Sequence, residues 1–194
     1  MSSPSLVLVL AEDQRQKQFI NRFLRKAGFN QNKIRVEVSP SGHGSAEQWV
    51  RKNFARQAKK CRVRNSRAST GMFVLIDADK LSVQTHLGEL DTALIAANQP
   101  KLDPANDPIA RLIPKWSIET WILYLVSRGA SERILREEES YKDSKTNEQW
   151  SELIPDAAAT LFEWTRQTAV FPENLLDSLR HGIQEIPRAL PKGR

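Results

Sequence analysis

Residues 71–80, Gly-Met-Phe-Val-Leu-Ile-Asp-Ala-Asp-Lys, form an apolar run that stops on two aspartates one residue apart. The unbroken apolar stretch Met72–Ile76 suits a strand buried on both faces, the pattern of a parallel sheet covered by helices. Carboxylates at the end of such a strand can hold a divalent cation. Upstream, from Gln48 to Ile76, the chain has no acidic residue and eight cations: Arg51, Lys52, Arg56, Lys59, Lys60, Arg62, Arg64 and Arg67. A dense cationic segment attracts polyanions, so the two features side by side in the sequence point to metal-dependent work on nucleic acid.

Working outward, Ser5–Ala11 is a second continuous apolar run of strand length. Asp13 precedes Gln16 by three residues, a capping-box spacing that starts a helix. Phe19, Ile20, Phe23, Leu24 and Ala27 follow at helical spacing, and Gly28 supplies the stop. Ile34–Val38 is a shorter strand leading into Ser39-Pro-Ser-Gly-His-Gly-Ser45. A helix from Ala46 would place Arg56, Lys59 and Lys60 on one face, and residues 62–70 read as loop. Beyond the aspartates come a helix over Val83–Ala97, a proline-rich loop, a strand over Ile109–Ile113 and a strongly apolar helix with Ile118, Trp121, Ile122 and Leu125. Alternating strands and helices imply an α/β fold, a largely parallel four-stranded sheet flanked by helices. The expected division is an α/β domain over 1–131 and a polar connector with a helical extension over 132–194. Its two helices fall around Asp156–Thr168 and Glu173–Gln184, with Pro155 and Pro172 near their starts.

Composition narrows the class. The chain has 194 residues, 40% hydrophobic and 27% charged, ordinary for a globular protein with a sizeable core. No apolar run approaches a membrane span, and Leu6–Ala11 is too short for a signal-peptide core. The single cysteine, Cys61, excludes an internal disulfide and a multi-cysteine zinc site, so the cytoplasm is the default compartment. The eight clustered cations exceed the net charge of +6, which leaves the rest of the chain net acidic and makes the basicity local.

Functional groups of a parallel α/β sheet gather beyond the carboxyl ends of its strands. Glu12 and Asp13 follow the first strand, and Asp77 and Asp79 the third. If those strands are neighbours, the carboxylates converge, and hard oxygen ligands favour Mg²⁺ or Mn²⁺. Each residue also has a plain role. Asp13 caps a helix, and Asp79 caps the next helix or turns with Lys80. Glu119 is a first-turn acid favoured by the helix dipole, and Lys142 beside Glu137, Glu138 and Glu139 is a solvated lysine. Gly42-His43-Gly44-Ser45 could cradle a phosphate but lacks the full P-loop pattern, and tight-turn glycines explain it more simply. His86 and His181 have no partner motif.

The order strand–Glu12–helix, Gly-rich loop–helix, strand–Asp77-Ala-Asp79 resembles the Toprim domain of topoisomerases, primases and overcoming-lysogenization-defect nucleases. Ile113-Pro-Lys-Trp-Ser-Ile-Glu119-Thr-Trp-Ile-Leu, followed by Tyr141-Lys142, is similar to elements of the compact RloB-like Toprim proteins. Over residues 5–145 the resemblance implies Glu12, Asp77 and Asp79 as metal ligands, Glu119 as a further or supporting carboxylate, and Lys142 as a charge balancing phosphate. It implies an endonuclease using Mg²⁺ or Mn²⁺, acting on a DNA or RNA backbone beside an ATPase in a phage-defence or mobile-element locus. A homodimer is left open. The sequence departs from the pattern in Lys80, directly after the aspartate pair, and in the long basic segment. Two rivals remain: a receiver-like signalling domain, and a non-catalytic nucleic-acid-binding or ATPase-associated subunit whose partner surface includes Trp150 and Trp164.

Overall fold

The structure is a computed structural model that describes residues 6–40, 45–130, 136–166 and 169–190. Four parallel strands, β1 (Leu6–Ala11), β2 (Ile34–Val38), β3 (Thr70–Leu75) and β4 (Ile109–Leu112), form one sheet in the order β2-β1-β3-β4. Six α-helices accompany them: α1 (Gln14–Lys26), α2 (Ala46–Asn65), α3 (Val83–Ala96), α4 (Ile118–Ser127), α5 (Asn147–Trp164) and α6 (Asp177–Ala189). The α/β fold class with a parallel, helix-flanked sheet is as the sequence implies.

Every residue of β1 and β3 is buried, because the two central strands alternate their side chains between two cores. Val7, Val9, Phe73 and Leu75 face one core with residues of α1, α4, α5 and α6. Leu6, Leu8, Leu10, Met72 and Val74 face the other, with Val50 and Phe54 of α2 and Leu90 and Leu94 of α3. Cys61 is buried in this second core, and burial pushes its thiol up to about 12, so it is no ligand or nucleophile.

Two close approaches depend on glycine. A Cβ on Gly71 of β3 would lie 2.0 Å from the Ala189 carbonyl oxygen, so α6 can cross the start of β3 only there. A Cβ on Gly182 of α6 would lie 2.4 Å from the ring of Trp121.

Three expectations about elements are corrected. α2 continues to Asn65 rather than giving way to loop at residue 62, where Arg62 is anchored to Asp107 and to the Pro100 and Lys101 carbonyls. α5 starts at Asn147, nine residues before the expected start, under a capping box made by Thr146 and Gln149. Pro155 therefore sits inside α5, and Pro187 inside α6. Trp150 and Trp164 are buried in the first core, where they pack beneath the sheet. No helix among the described residues is long and apolar enough to cross a membrane.

Candidate metal centre

β1 pairs with β2 on one side and β3 on the other, so the chain reverses direction across the sheet between β1 and β3. The crevice at such a reversal, outside the carboxyl ends of the strands, is where open α/β sheets bind ligands. Glu12 leaves β1 and Asp77 leaves β3 at this point, in register through Leu10 and Val74. Glu12 and Asp13 open into a cleft of about 610 Å³ shared with Arg15, Ser39, Ala46 and Asn147.

Asp77 is 2% exposed. Its Oδ1 accepts from the Ile118 backbone N–H (3.1 Å) and from Gln16 Nε2 (2.8 Å). The first bond caps α4, whose N-cap Ser117 offers no side-chain bond of its own. The Asp77 N–H donates to Glu12 Oε2 at 3.0 Å, which locks the two carboxylates together. Gln16, fully buried, ties the pair further: its Nε2 lies 3.4 Å from Glu12 Oε2, and its Oε1 accepts from the Glu12 N–H (2.9 Å). The expected capping box is thus half made. Asp13 caps α1 by accepting from the Gln16 N–H (2.8 Å), while the Gln16 side chain turns to the strand ends.

Burial and mutual repulsion keep this pair from ionising together. Burial first, then the Asp77 charge, pushes Glu12 up to about 8 against the pull of the Asp77 N–H bond. Burial also pushes Asp77 up to about 7, outweighing the Lys142 charge and the Gln16 bond, with Asp13 and Asp79 adding to the rise. Lys142 Nζ stands 3.5 Å from Asp77 Oδ2. Burial lowers the ammonium pKa, but the charges of Asp77, Asp79, Asp13 and Glu12 more than offset that and hold it raised. Lys142 keeps the exposed side chain expected of a solvated lysine, while its ammonium faces Asp77. Buried Tyr141 draws the segment inward, its hydroxyl accepting from the Arg136 N–H (3.1 Å) and donating to Glu139 (3.3 Å).

Asp79 has a left-handed backbone (φ 44°) and faces Trp116, also left-handed (φ 62°), across an isolated bridge. Such a conformation costs of order 1 kcal/mol at a non-glycine residue, most at a bulky one. The bond from the Asp79 N–H to the Trp116 carbonyl (3.1 Å) and that from Lys115 Nζ to the Asp79 carbonyl (3.1 Å) hold it in place. Asp79 does not cap α3, a role taken by Ser82.

Glu119 points elsewhere. It is fully buried and ion-paired with Arg15, whose guanidinium lies over the Trp150 ring (5.4 Å) and donates to Asn147 (2.7 Å). The Glu119 Oε2 has no hydrogen bond. The structure therefore gathers Glu12, Asp13, Asp77, Asp79 and Lys142 at one sheet end and sets Glu119 on the α1–α5 side. From the sequence Gln16, Arg15 and Lys115 carry no role in the site. Only Gln16 left a signal, as the third residue of a capping box.

The residues fit a hard divalent cation. Glu12 and Asp77 are anionic oxygen donors whose burial favours a counter-cation, and Oε1 of Glu12 and Oδ2 of Asp77 are not committed to backbone or amide donors. Glu12, Asp77 and Asp79 are not within ligating distance of one another as a trio.

The eight cations divide. Arg51 pairs with Glu47 (3.0 Å) and Glu89 (2.7 Å), Arg56 with Glu37 (3.0 Å), and Arg62 with Asp107 (2.7 Å). Lys52, Lys59, Lys60, Arg64 and Arg67 are exposed, with no ion pair among the described residues. Arg56, Lys59, Lys60 and Arg64 line one groove of about 600 Å³ against β2, over a floor that includes Leu6 and Leu8. Arg64 and Arg67 lie near the start of β3 and not near its carboxylate end. The Gly42–Gly44 loop lies outside the described residues, and Ser45 caps α2 through the Gln48 N–H.

Fold and site together define an α/β protein with a coupled carboxylate pair at the reversal point of a parallel sheet. No protein-family model matches the chain. No curated protein matches it either. Among solved structures it is similar to the C-terminal region of the Burkholderia pseudomallei OLD protein, with 13% identity over 95% of this chain and 98% of that one and a TM-score of 0.36. At that score the likeness carries no functional argument.

Proposed function

We propose that this protein is a Toprim-like phosphodiesterase that cleaves a nucleic-acid backbone with Mg²⁺ or Mn²⁺. The observation that carries this reading is the Glu12–Asp77 pair: two carboxylates at adjacent strand ends, pushed up to about 8 and about 7, with a lysine ammonium drawn to them. Perturbed acids in a cleft mark functional sites, because ion-free burial of such a pair is costly. Glu12 and Asp77 would hold the cation, which when bound neutralises phosphate charge and lowers the pKa of a bound water. Gln16 and the amino end of α4 orient Asp77, and the Lys142 ammonium balances charge on the phosphate. The exposed α2 cations bind backbone phosphates without reading sequence. The Toprim resemblance adds the expectation of an ATPase partner in a defence or mobile-element locus, which co-purification from the native host tests.

The decisive assay incubates the purified chain with supercoiled, linear and single-stranded DNA and with RNA, in Mg²⁺ or Mn²⁺. Cleavage is expected to stop with chelator and in Asp77→Asn and Glu12→Gln. Cleavage that survives both substitutions overturns the site. The exposed cations also favour a second reading, a binder without catalysis. It predicts salt-dependent binding that Asp77→Asn leaves intact and no metal-dependent cleavage by the wild type.

A further inference from the structure

α2 and α3 lie on the same face of the sheet, and near their amino ends three side chains converge: Glu47 of α2, and His86 and Glu89 of α3. One ligating atom of each lies within 4.8 Å of the other two. His86 is 1% exposed, with its Nδ1 at 2.9 Å from Glu89 Oε2 and 3.3 Å from Glu47 Oε1. All three of these atoms are buried and lack a hydrogen bond. The other ring nitrogen, Nε2, lies 3.3 Å from the Ala78 carbonyl oxygen, an acceptor that requires the proton on Nε2. That tautomer leaves the Nδ1 lone pair facing two carboxylate oxygens with no donor of its own. Arg51 contacts both glutamates, Glu89 through Oε1 (2.7 Å) and Glu47 through Oε1 (3.0 Å), and gives His86 no hydrogen bond.

We infer that Glu47, His86 and Glu89 form a second divalent-cation site, for Zn²⁺ or Mn²⁺, that pins α2 to α3. One imidazole nitrogen with two carboxylates is a borderline donor set that suits Zn²⁺ and Mn²⁺ better than Mg²⁺. A backbone carbonyl on the far ring nitrogen is the usual outer partner of a metal-bound histidine. Here that carbonyl belongs to Ala78, between Asp77 and Asp79, so the site also steadies the segment carrying the strand-end aspartates. It shares no ligand with the Glu12–Asp77 pair and does not depend on the function proposed for that pair.

The test uses the full chain carrying Asp77→Asn, which disables the strand-end pair, dialysed against Zn²⁺ or Mn²⁺ alone. Bound metal is counted by elemental analysis, titrated by calorimetry and followed by thermal melting. One equivalent is expected, with a raised melting temperature. Adding His86→Ala or Glu89→Gln is expected to weaken binding by about ten-fold or more and to remove the melting shift. Glu89→Gln preserves size at a partly exposed side chain, so it decides the matter even if His86→Ala fails to fold. No bound equivalent in the Asp77→Asn chain, or one that survives Glu89→Gln, overturns the proposal.

Discussion

At its carboxyl end β3 runs into Asp77, a buried carboxylate tied to Glu12, Gln16 and the first turn of α4. At its amino end it follows Arg64, the last cation of α2, and Arg67 in the turn beyond, and it passes beneath α6 at Gly71. Six residues of strand put about 20 Å between the two ends, and α2 runs back along the sheet for about 30 Å. Arg64 and Arg67, near Asp77 in the sequence, therefore lie at the opposite end of β3 from it. The acidic pole is buried, cross-bonded and short of positive charge; much of the basic pole is exposed and unpaired. A nucleic acid that engages both must lie along the α2 groove and not across a single point.

The largest expected effect breaks the acidic pole alone. Asp77→Asn keeps the oxygen for Ile118 and Gln16 yet removes the charge, so cleavage should fall about 10²–10³-fold or more, with binding unchanged. Initial rates beside binding isotherms check it. Asp77→Ala should in addition lose about 1–3 kcal/mol of stability, because the Ile118 N–H and the Gln16 amide lose an acceptor. Gly71→Ala strikes the basic pole through packing. The added methyl meets the Ala189 carbonyl, and a loss of about 2–4 kcal/mol in denaturant unfolding is expected.

Charge reversal of Lys59, Lys60 and Arg64 should weaken nucleic-acid binding by about ten-fold or more and flatten its salt dependence by about 0.9 per lost phosphate contact on duplex DNA. Turnover at saturating substrate should hold. If turnover falls while affinity holds, the groove is not the phosphate path.

The smallest effect is in pH. Both Glu12 and Asp77 hold their protons more tightly folded than unfolded, so their protonated forms favour the folded state. That contribution is complete below the unfolded values near 4 and is lost as pH rises through about 7 and about 8. Without divalent metal the chain should lose stability as pH rises from 5 to 9. Mg²⁺ or Asp77→Asn should reduce the loss, as melts across that range would record.

Much of the site was legible because it hangs on local patterns. The apolar run ending at Asp77-Ala-Asp79 places carboxylates at a strand end whatever the strand order, and Asp13 caps α1 as its spacing to Gln16 implies. Glu12 had no visible local role, and its bond to the Asp77 N–H joins residues 65 apart in the chain. Lys142 and Glu119 were hard to place because each is defined by a distant partner, Asp77 for one and Arg15 for the other. The Glu47–His86–Glu89 group left no motif at all, since it forms only when α2 and α3 pack side by side.

The amino-acid sequence by itself determined four strands, two of them wholly buried, the helices between them and acidic residues at two strand ends. Hydrophobic period and cap chemistry act over a few residues and need no knowledge of the whole. Only the tertiary structure decided that β1 and β3 are neighbours, which turns separate carboxylates into a coupled pair. It also decided that the basic run starts at Arg51, near the aspartate segment, and runs back along the sheet so that its later cations lie away from that pair. Strand order and helix direction arise from chain crossover and from packing on two faces, and no local pattern encodes them.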